Sequence, residues 1–326
     1  MTYNFTYTFP NGTRVFPNGT LFDPGHYKYH TADGLDNGGP TGWISILFLV
    51  LFSISTIIHL GQTFYFRRWF LLPSIVLGGL GEVIGWAGRY WSSRNPILKK
   101  PFLMQITTTV ISPTFLTAAN FIIFGHVILL ARAQRFSRLT PKFYSILFVS
   151  IDFIALVVQA FGGAKASGSD PVSGGHIMLA GIIIGLVSIV VYVAVAGEVV
   201  YRIYKNKPYH VNMPDTVESY NGKHGLEHHH ALMVRALAFS SFVLFIRAIY
   251  RTAELSGGYQ GHIIETQVYF NVFDAAMVVL SMYTINVFHP GWLLQYRSKD
   301  VWANVTGVEE VPKPKESSNS SLVGSA

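Results

Sequence analysis

The sequence predicts an all-α integral membrane protein, a seven-transmembrane-helix bundle with its N-terminus outside and its C-terminus cytoplasmic. Three observations carry this. Charged residues make up 13% of the 326 positions and hydrophobic residues 50%, whereas soluble chains carry roughly 25% charged residues. Seven stretches approach the roughly 20 apolar residues that a spanning helix needs. The basic residues fall unevenly on the two sides of those stretches.

The tail 1–40 comes first. It has no basic start followed by an apolar core, so it does not read as a cleavable signal peptide, and the first helix would serve as the anchor. Asn4, Asn11 and Asn18 each open an Asn-x-Ser/Thr pattern, the acceptor for N-linked glycans. The pentapeptide Phe-Pro-Asn-Gly-Thr stands at 9–13 and again at 16–20. Pro-Asn-Gly favours tight turns, so this is a turn-rich extracellular tail.

The membrane domain, 41–295, follows. Helices are expected at about 42–66, 69–91, 102–131, 142–164, 175–201, 231–254 and 267–290. The runs 37–66, 101–131 and 171–197 contain no Asp, Glu, Lys or Arg, and 275–296 is likewise uncharged. The other three spans carry charge: Glu82 and Arg89 in the second, Asp152 in the fourth, and Arg235, Arg247 and Arg251 in the sixth. Pro113 should kink helix three, with Thr109 and Ser112 near the freed carbonyls. Gly78, Gly79, Gly81, Gly85 and Gly88 permit close packing of helix two, and Gly162-Gly163 should end helix four. The segment 296–326 reads as a cytoplasmic tail, rich in Ser, Pro, Lys and Glu from Glu309 on, whose composition predicts disorder.

Orientation follows from charge. With the N-terminus outside, fourteen of the 24 Lys and Arg fall on the inner side and six on the outer, the other four lying in or at the ends of helices. Basic residues collect on the cytoplasmic side. The net charge of +7 is therefore an orientation signal and an inner-leaflet attraction, and no nucleic-acid partner is expected. The absence of cysteine excludes disulfides, thiolate nucleophiles, Cys-ligated zinc and iron–sulfur clusters. No Gly-x-x-x-x-Gly-Lys-Ser/Thr loop occurs, so nucleotide is not the direct energy source. No cofactor or bound metal is expected.

Charges within a bilayer are costly and normally face a bundle interior or a wet cavity. Here they form stripes. Residues seven apart lie within about 20° of each other on a helix. Glu82 and Arg89 are so related, as are Asp152 and Gln159. Arg247, Arg251 and Glu254 stand at i, i+4 and i+7, and so do Gln267, Asn271 and Asp274. Turning all four stripes inward gathers five acids, counting Glu265, and three arginines in one slightly acidic cavity, open toward the outer side. Such a cavity suits a cationic amphiphile, its ammonium head against carboxylates and its tail against the helices. The alternative is that the charges pair across helices and hold the bundle together, Arg251 and Glu254 pairing along one helix.

At these residues the sequence resembles the fungal seven-helix lipid-translocating exporter family, linked to 7-aminocholesterol and sphingoid-base resistance. The resemblance covers roughly 40–295. Its pieces are Glu82-x-x-Gly85-Trp86-x-x-Arg89, Gln105 with Pro113 and Ala118-Ala119, then Asp152, Gln159 and Gly162-Gly163. Arg247-x-x-Tyr250-Arg251-x-x-Glu254 with Gly257-Gly258, Asp274, and His289-Pro290-Gly291 complete it. Phe121 and His126 stand where the family usually has Tyr and Arg, the common Gln near Gly185 is missing, and Gln267 and Asn271 replace Glu and Tyr. The resemblance implies a non-enzymatic exporter of sphingoid long-chain bases, cationic sterols and toxic amphiphiles. It would act at a fungal plasma membrane. The head-group site expected in the polar cavity comprises Glu82, Arg89, Gln105, Asp152, Gln159, Arg247, Arg251, Glu254, Gln267, Asn271 and Asp274. On an ion-gradient route Glu82, Asp152 and Asp274 are the expected proton carriers.

Two other classes share the outline. A seven-helix lipid receptor is opposed by Ala131-Arg132-Ala133 where an Asp/Glu-Arg-Tyr end to helix three would stand, and by the lack of Asn-Pro-x-x-Tyr. An intramembrane zinc hydrolase would need His59, His126 and His289 to converge with Glu198, yet no His-x-x-x-His or His-Glu-x-x-His spacing supports it.

Overall fold

A computed structural model describes residues 40–95, 98–131, 133–167, 171–210, 226, 228–256, 263 and 266–294, with the strand segments 7–8, 14–15 and 21–22. The glycan acceptors Asn4, Asn11 and Asn18, and the tail from 295 on, lie outside the described residues.

The N-terminal segment pairs β1 (Tyr7–Thr8), β2 (Arg14–Val15) and β3 (Leu21–Phe22) as an antiparallel meander. Tyr7 lies opposite Val15, and Arg14 opposite Phe22. Each copy of the repeated pentapeptide occupies the stretch between two paired strands. Two-residue strands were not part of the sequence expectation, because no alternating apolar run marks them.

Among the described residues, seven helices are long and apolar enough to cross a membrane. They are α1 (Gly42–Phe66), α2 (Trp69–Arg94), α3 (Lys99–Leu130), α4 (Pro141–Ser167), α5 (Pro171–Tyr204), α6 (His228–Ser256) and α7 (267–287). A short α8 (Pro290–Leu293) follows. Two helices are irregular. α2 opens with a 3₁₀ turn (Trp69–Leu71) and a π turn (Leu72–Val76). α7 contains a π segment, Phe270–Ala276, between Gln267–Tyr269 and Met277–Val287. Helix four runs on past Gly162-Gly163 to Ser167. Those glycines do not end it: a Cβ at Gly162 would strike the backbone of Met178, so the residue serves close α4–α5 packing.

Each helix packs on its neighbours in chain order and α7 returns to α1, closing the bundle, while α3 also reaches α5, α6 and α7. Burial agrees with this arrangement: 56% of the α3 span is buried against 28% of α1. Polar side chains turn inward and large apolar ones outward along much of α1, although the bundle core itself is mainly apolar. On α1, Ser55, Thr56, His59 and Thr63 are buried while Ile46, Leu47, Val50 and Ile54 are exposed. Hydroxyls on this inner face are satisfied locally, Thr56 and Thr63 donating to the carbonyls four residues back, as helices in an apolar medium require.

The α2–α3 contact rests on glycine. A Cβ at Gly85 would come within 2.6 Å of Thr109 Cγ2, and one at Gly88 within 3.0 Å of the Pro101 carbonyl. The backbones therefore lie close enough for small residues alone. At the other end, His289-Pro290-Gly291 is a compact joint. His289 Nδ1 accepts the Gly291 amide at 3.1 Å, capping α8, Pro290 takes the first helical position, and the His289 ring stacks on Phe66 of α1 at 5.1 Å.

Candidate functional site

The site is built around a consequence of Pro113. Proline has no amide hydrogen, so within a helix it leaves the carbonyl four residues back without a donor. That carbonyl belongs to Thr109, and α3 continues through it. The vacant acceptor is taken by Arg247 of α6, whose Nη2 donates to Thr109 O at 2.6 Å. The Thr109 hydroxyl, itself donating to Gln105 O, accepts from Arg251 Nη2 at 3.1 Å. One turn of α3 thus receives two guanidinium groups.

Both arginines converge on Asp274 of α7. Arg251 binds it through two parallel hydrogen bonds, Nε to Oδ1 at 2.7 Å and Nη2 to Oδ2 at 2.9 Å. Arg247 Nε lies 2.9 Å from Oδ1. Glu254 Oε2 takes Arg251 Nη1 at 2.7 Å, and its other oxygen accepts the Tyr250 hydroxyl at 2.9 Å. Two cations and two anions compensate each other, with Asp274 and Arg251 each 1% exposed. Bidentate Arg–carboxylate pairs are among the strong hydrogen-bonded contacts. The expectation that Arg251 and Glu254 pair along one helix holds, but in the core of the bundle and with Asp274 as a shared partner.

The π segment of α7 decides which residues join. Its extra residue per turn shifts the helix face, so the Gln267–Asn271–Asp274 stripe does not stay on one line. Asp274 reaches the arginines; Asn271 is half-buried; Gln267 Oε1 accepts the amide and hydroxyl of Thr41, at the start of α1, at 3.0 and 3.1 Å.

The helix-two stripe approaches the cluster through an aromatic layer. Arg89 lies over the Phe270 ring at 4.6 Å and Arg251 over the same ring at 4.9 Å. Cations over an aromatic face gain electrostatic attraction without a carboxylate. Glu82, 1% exposed, feels the charges of Asp274, Arg247 and Arg251, yet it makes no ion pair among the described residues and its Oε1 has no hydrogen-bond partner. Gln105 is buried beneath Gly88.

Asp152 and Gln159 of α4 lie in a second place. They line a cleft of about 50 Å³ among α3, α4, α5 and α6, together with Pro113, Thr117, Gly185 and Arg247. Asp152 Oδ2 accepts the Thr117 hydroxyl at 2.7 Å. Among the described residues it makes no ion pair, in contrast to Asp274, Glu254 and Glu198. Arg247 belongs to both places: it is held by Asp274 and Thr109 and also borders the cleft. Glu82, Arg89, Asp152, Gln159, Arg247, Arg251, Glu254 and Asp274 are therefore buried and form two adjoining groups that share Arg247, while Asn271 is half-buried and Gln267 joins neither.

Sequence reasoning passed over several members. Thr117 and Tyr250 supply hydroxyls to carboxylates. Asn120, Ser240 and Ser281 form a chain from α3 through α6 to α7, Asn120 Nδ2 to Ser240 Oγ at 2.9 Å and Ser240 Oγ to Ser281 Oγ at 2.8 Å. Small hydroxyl residues in apolar runs give no periodic signal; Thr109 was signalled only by its place four residues before Pro113. Phe121 joins an aromatic cluster with Phe148 and Tyr192, and His126 stacks on Phe70 with Nδ1 on the Ile122 carbonyl.

The zinc reading finds no ligand set. His59 Nε2 is engaged by the Met282 carbonyl at 3.1 Å, and Glu198 is held between Arg138 and Arg202. Among the described residues no group of three or more His, Asp or Glu is placed to hold a metal ion.

Comparison with known proteins finds relatives over most of the chain. The sphingoid long-chain base transporter RSB1 of Saccharomyces cerevisiae is 28% identical over 289 residues, 79% of this chain and 73% of that protein. Protein RTA1 of the same yeast is 28% identical over 206 residues, covering 63% of this chain and 61% of that one. Its protoporphyrin uptake protein 1 is 23% identical over 299 residues, 81% and 92% of the two chains. No solved structure matches. Residues 75–297 match the family described as RTA1-like protein, a region that holds every intramembrane charge discussed above, and the chain is a member of the RTA1-like family.

Proposed function

We propose that this protein is a non-enzymatic translocator of amphipathic lipids, with sphingoid long-chain bases as its reference substrate and cationic sterols and other toxic amphiphiles as further candidates. One observation carries the reading: Asp152 is a buried carboxylate bordering a cleft, and among the described residues it makes no ion pair, although Arg247 lines the same cleft. A buried charge is costly unless paired, and an ammonium head group would supply the missing partner. Thr117 and Gln159 add polar contacts at the same place. The remaining members of the expected head-group set, Glu82, Arg89, Gln105, Arg251, Glu254, Gln267, Asn271 and Asp274, act on this reading as the polar frame that fixes Arg247 at the cleft wall. The likeness to a protein named as a sphingoid long-chain base transporter over most of both chains supports the substrate class.

The protein would sit in the plasma membrane with its N-terminus outside, following the basic surplus on the opposite side. Without a nucleotide-binding loop, transport runs on an ion gradient, an energised partner or a downhill lipid gradient. Asp274 is neutralised by two arginines, so on a proton-coupled route Glu82 and Asp152 become the carriers.

The test is movement of a fluorescent long-chain base across reconstituted vesicles, with a gradient imposed and then removed. Asp152→Asn should abolish most of the protein-dependent rate while leaving the amount of folded protein unchanged. Ligand-dependent binding of a cytosolic protein without any lipid movement would replace this reading by a receptor. Faster transfer of protoporphyrin, a dicarboxylic molecule, than of the base would shift the substrate from cation to anion.

A further inference from the structure

A groove of about 530 Å³ lies between α5 and α6 next to the Asp152 cleft, the two sharing one wall residue. Ile189 lines both and marks the join. The groove extends from Ile189 to Val200 on α5, which at 1.5 Å per residue is about 17 Å. Its floor is formed by buried Tyr192 and Leu237, its rims by exposed Val190 and Phe242. The lining is almost wholly apolar, in contrast to the cleft. Two glycines sit in it without packing against anything: a Cβ at Gly185, in the cleft, or at Gly197, in the groove, would meet no atom within 4 Å. Elsewhere on α4 and α5 the pattern is the opposite, since Gly162, Gly174 and Gly181 are all pressed against a neighbouring backbone. Small residues here leave space open where those bring helices together.

Resting on the translocation reading, we propose that the α5–α6 seam is a lateral port for a single-chain cationic amphiphile. The ammonium group lies at Asp152 and the alkyl chain lies in the groove, entering sideways from the bilayer. Charge complementarity selects this occupant over an ordinary membrane lipid. Moving a hydrocarbon chain from lipid into an apolar groove releases little hydrophobic free energy, because lipid tails are as apolar as the lining. Specific occupancy must then come from the polar end, and Asp152, which makes no ion pair among the described residues, borders the cleft adjoining the groove at Ile189. The volume falls within the roughly 300–1,000 Å³ of small-molecule sites. From Ile182 in the cleft to Val200 the seam spans about 27 Å, close to the roughly 30 Å of a hydrocarbon core.

The experiment uses the full-length protein in lipid nanodiscs and a long-chain base with a photoactivatable diazirine on its alkyl chain. After illumination, labelled peptides are mapped by mass spectrometry. Labelling should concentrate on 189–200 and 234–245. Asp152→Asn should lower it about tenfold or more, the loss expected when one partner of a buried charge pair is removed. Gly197→Phe, which fills the groove, should lower it by the roughly 5- to 150-fold of an overpacked site. Gly197→Ala adds one methyl to open space and should keep labelling, which controls for folding. An N-acylated analogue without the ammonium should label the seam no more than other lipid-facing surface. Even labelling around the bundle, or labelling indifferent to Asp152→Asn and Gly197→Phe, would mean annular lipid only and would overturn the port. Seam labelling without vesicle transport would leave the port and remove translocation; transport without seam labelling would do the reverse.

Discussion

Replacing Asp274 by asparagine keeps shape and removes charge. The core cluster then holds Arg247 and Arg251 against Glu254 alone, and the incoming amide can turn a donor toward donors. Three contacts are affected: Arg251 Nε and Nη2 at 2.7 and 2.9 Å, and Arg247 Nε at 2.9 Å. If these were ordinary intramembrane hydrogen bonds at about 0.6 kcal/mol each, the loss would be about 2 kcal/mol. Removing one member of a buried ion pair costs roughly 3–5 kcal/mol instead, because a desolvated cation is left without compensation. That is a shift of about 100- to 4,000-fold in the folding equilibrium. The Arg251→Met/Asp274→Leu double variant removes one charge of each sign and leaves Arg247 facing Glu254. Replacing a buried pair by apolar residues of similar size is often close to neutral, so the double variant should recover most of the loss. The assay is reversible unfolding in mixed micelles followed by helical circular dichroism, run as a double-mutant cycle. A cost below about 1 kcal/mol for Asp274→Asn would refute a charge-compensated cluster, and so would a double variant as unstable as the sum of the two single changes.

Other expectations follow from the same geometry. Pro113→Ala restores a backbone donor aimed at Thr109 O, where Arg247 now binds. Proline removal from a helix should gain about 3 kcal/mol, but displacing a hydrogen bond to a charged group should return roughly 1.5–3; a measured gain near the full value would show that Arg247 does not depend on that carbonyl. Gly85→Ala should destabilise by roughly 1–3 kcal/mol through overpacking against Thr108 and Thr109, whereas Gly185→Ala, whose added Cβ meets no atom within 4 Å, should change stability by less than about 0.5 kcal/mol; equal effects would refute the distinction between packed and open glycines. Endoglycosidase treatment should shift the mobility of protein carrying Asn4, Asn11 and Asn18, and removal of all three should abolish the shift. Two further Asn-x-Ser/Thr patterns, at Asn304 and Asn319, fall on the expected inner side, and a glycan on either would reverse the topology.

The spans were legible because membrane solvent imposes a length and a composition on every crossing. α1 runs over the expected 42–66, and the charged interruptions of α2, α4 and α6 fell inside helices as expected. The α6 stripe was legible for a related reason. That helix is regular, so residues at i, i+4 and i+7 share a face, and Arg247, Arg251 and Glu254 all reach one cluster. In α7 the same arithmetic separated from the structure, because a π segment changes the residues per turn and sends Gln267 to Thr41 while Asp274 turns inward. Gly162-Gly163 read as a stop because glycine is a poor helix former in isolation; packing against α5 overrode that preference.

By itself the sequence determined the number of spans, the faces that carry charge, the carbonyl that Pro113 would free and the glycine surface of α2, since each is a property of one helix and its solvent. Tertiary structure alone decided the pairings: that the freed Thr109 carbonyl receives an arginine 138 residues away, that Asp274 answers two cations, and that among the described residues Asp152 pairs with none. Those outcomes depend on the order and rotation of helices about one another, where a turn of a few tens of degrees exchanges a salt bridge for an unpaired charge.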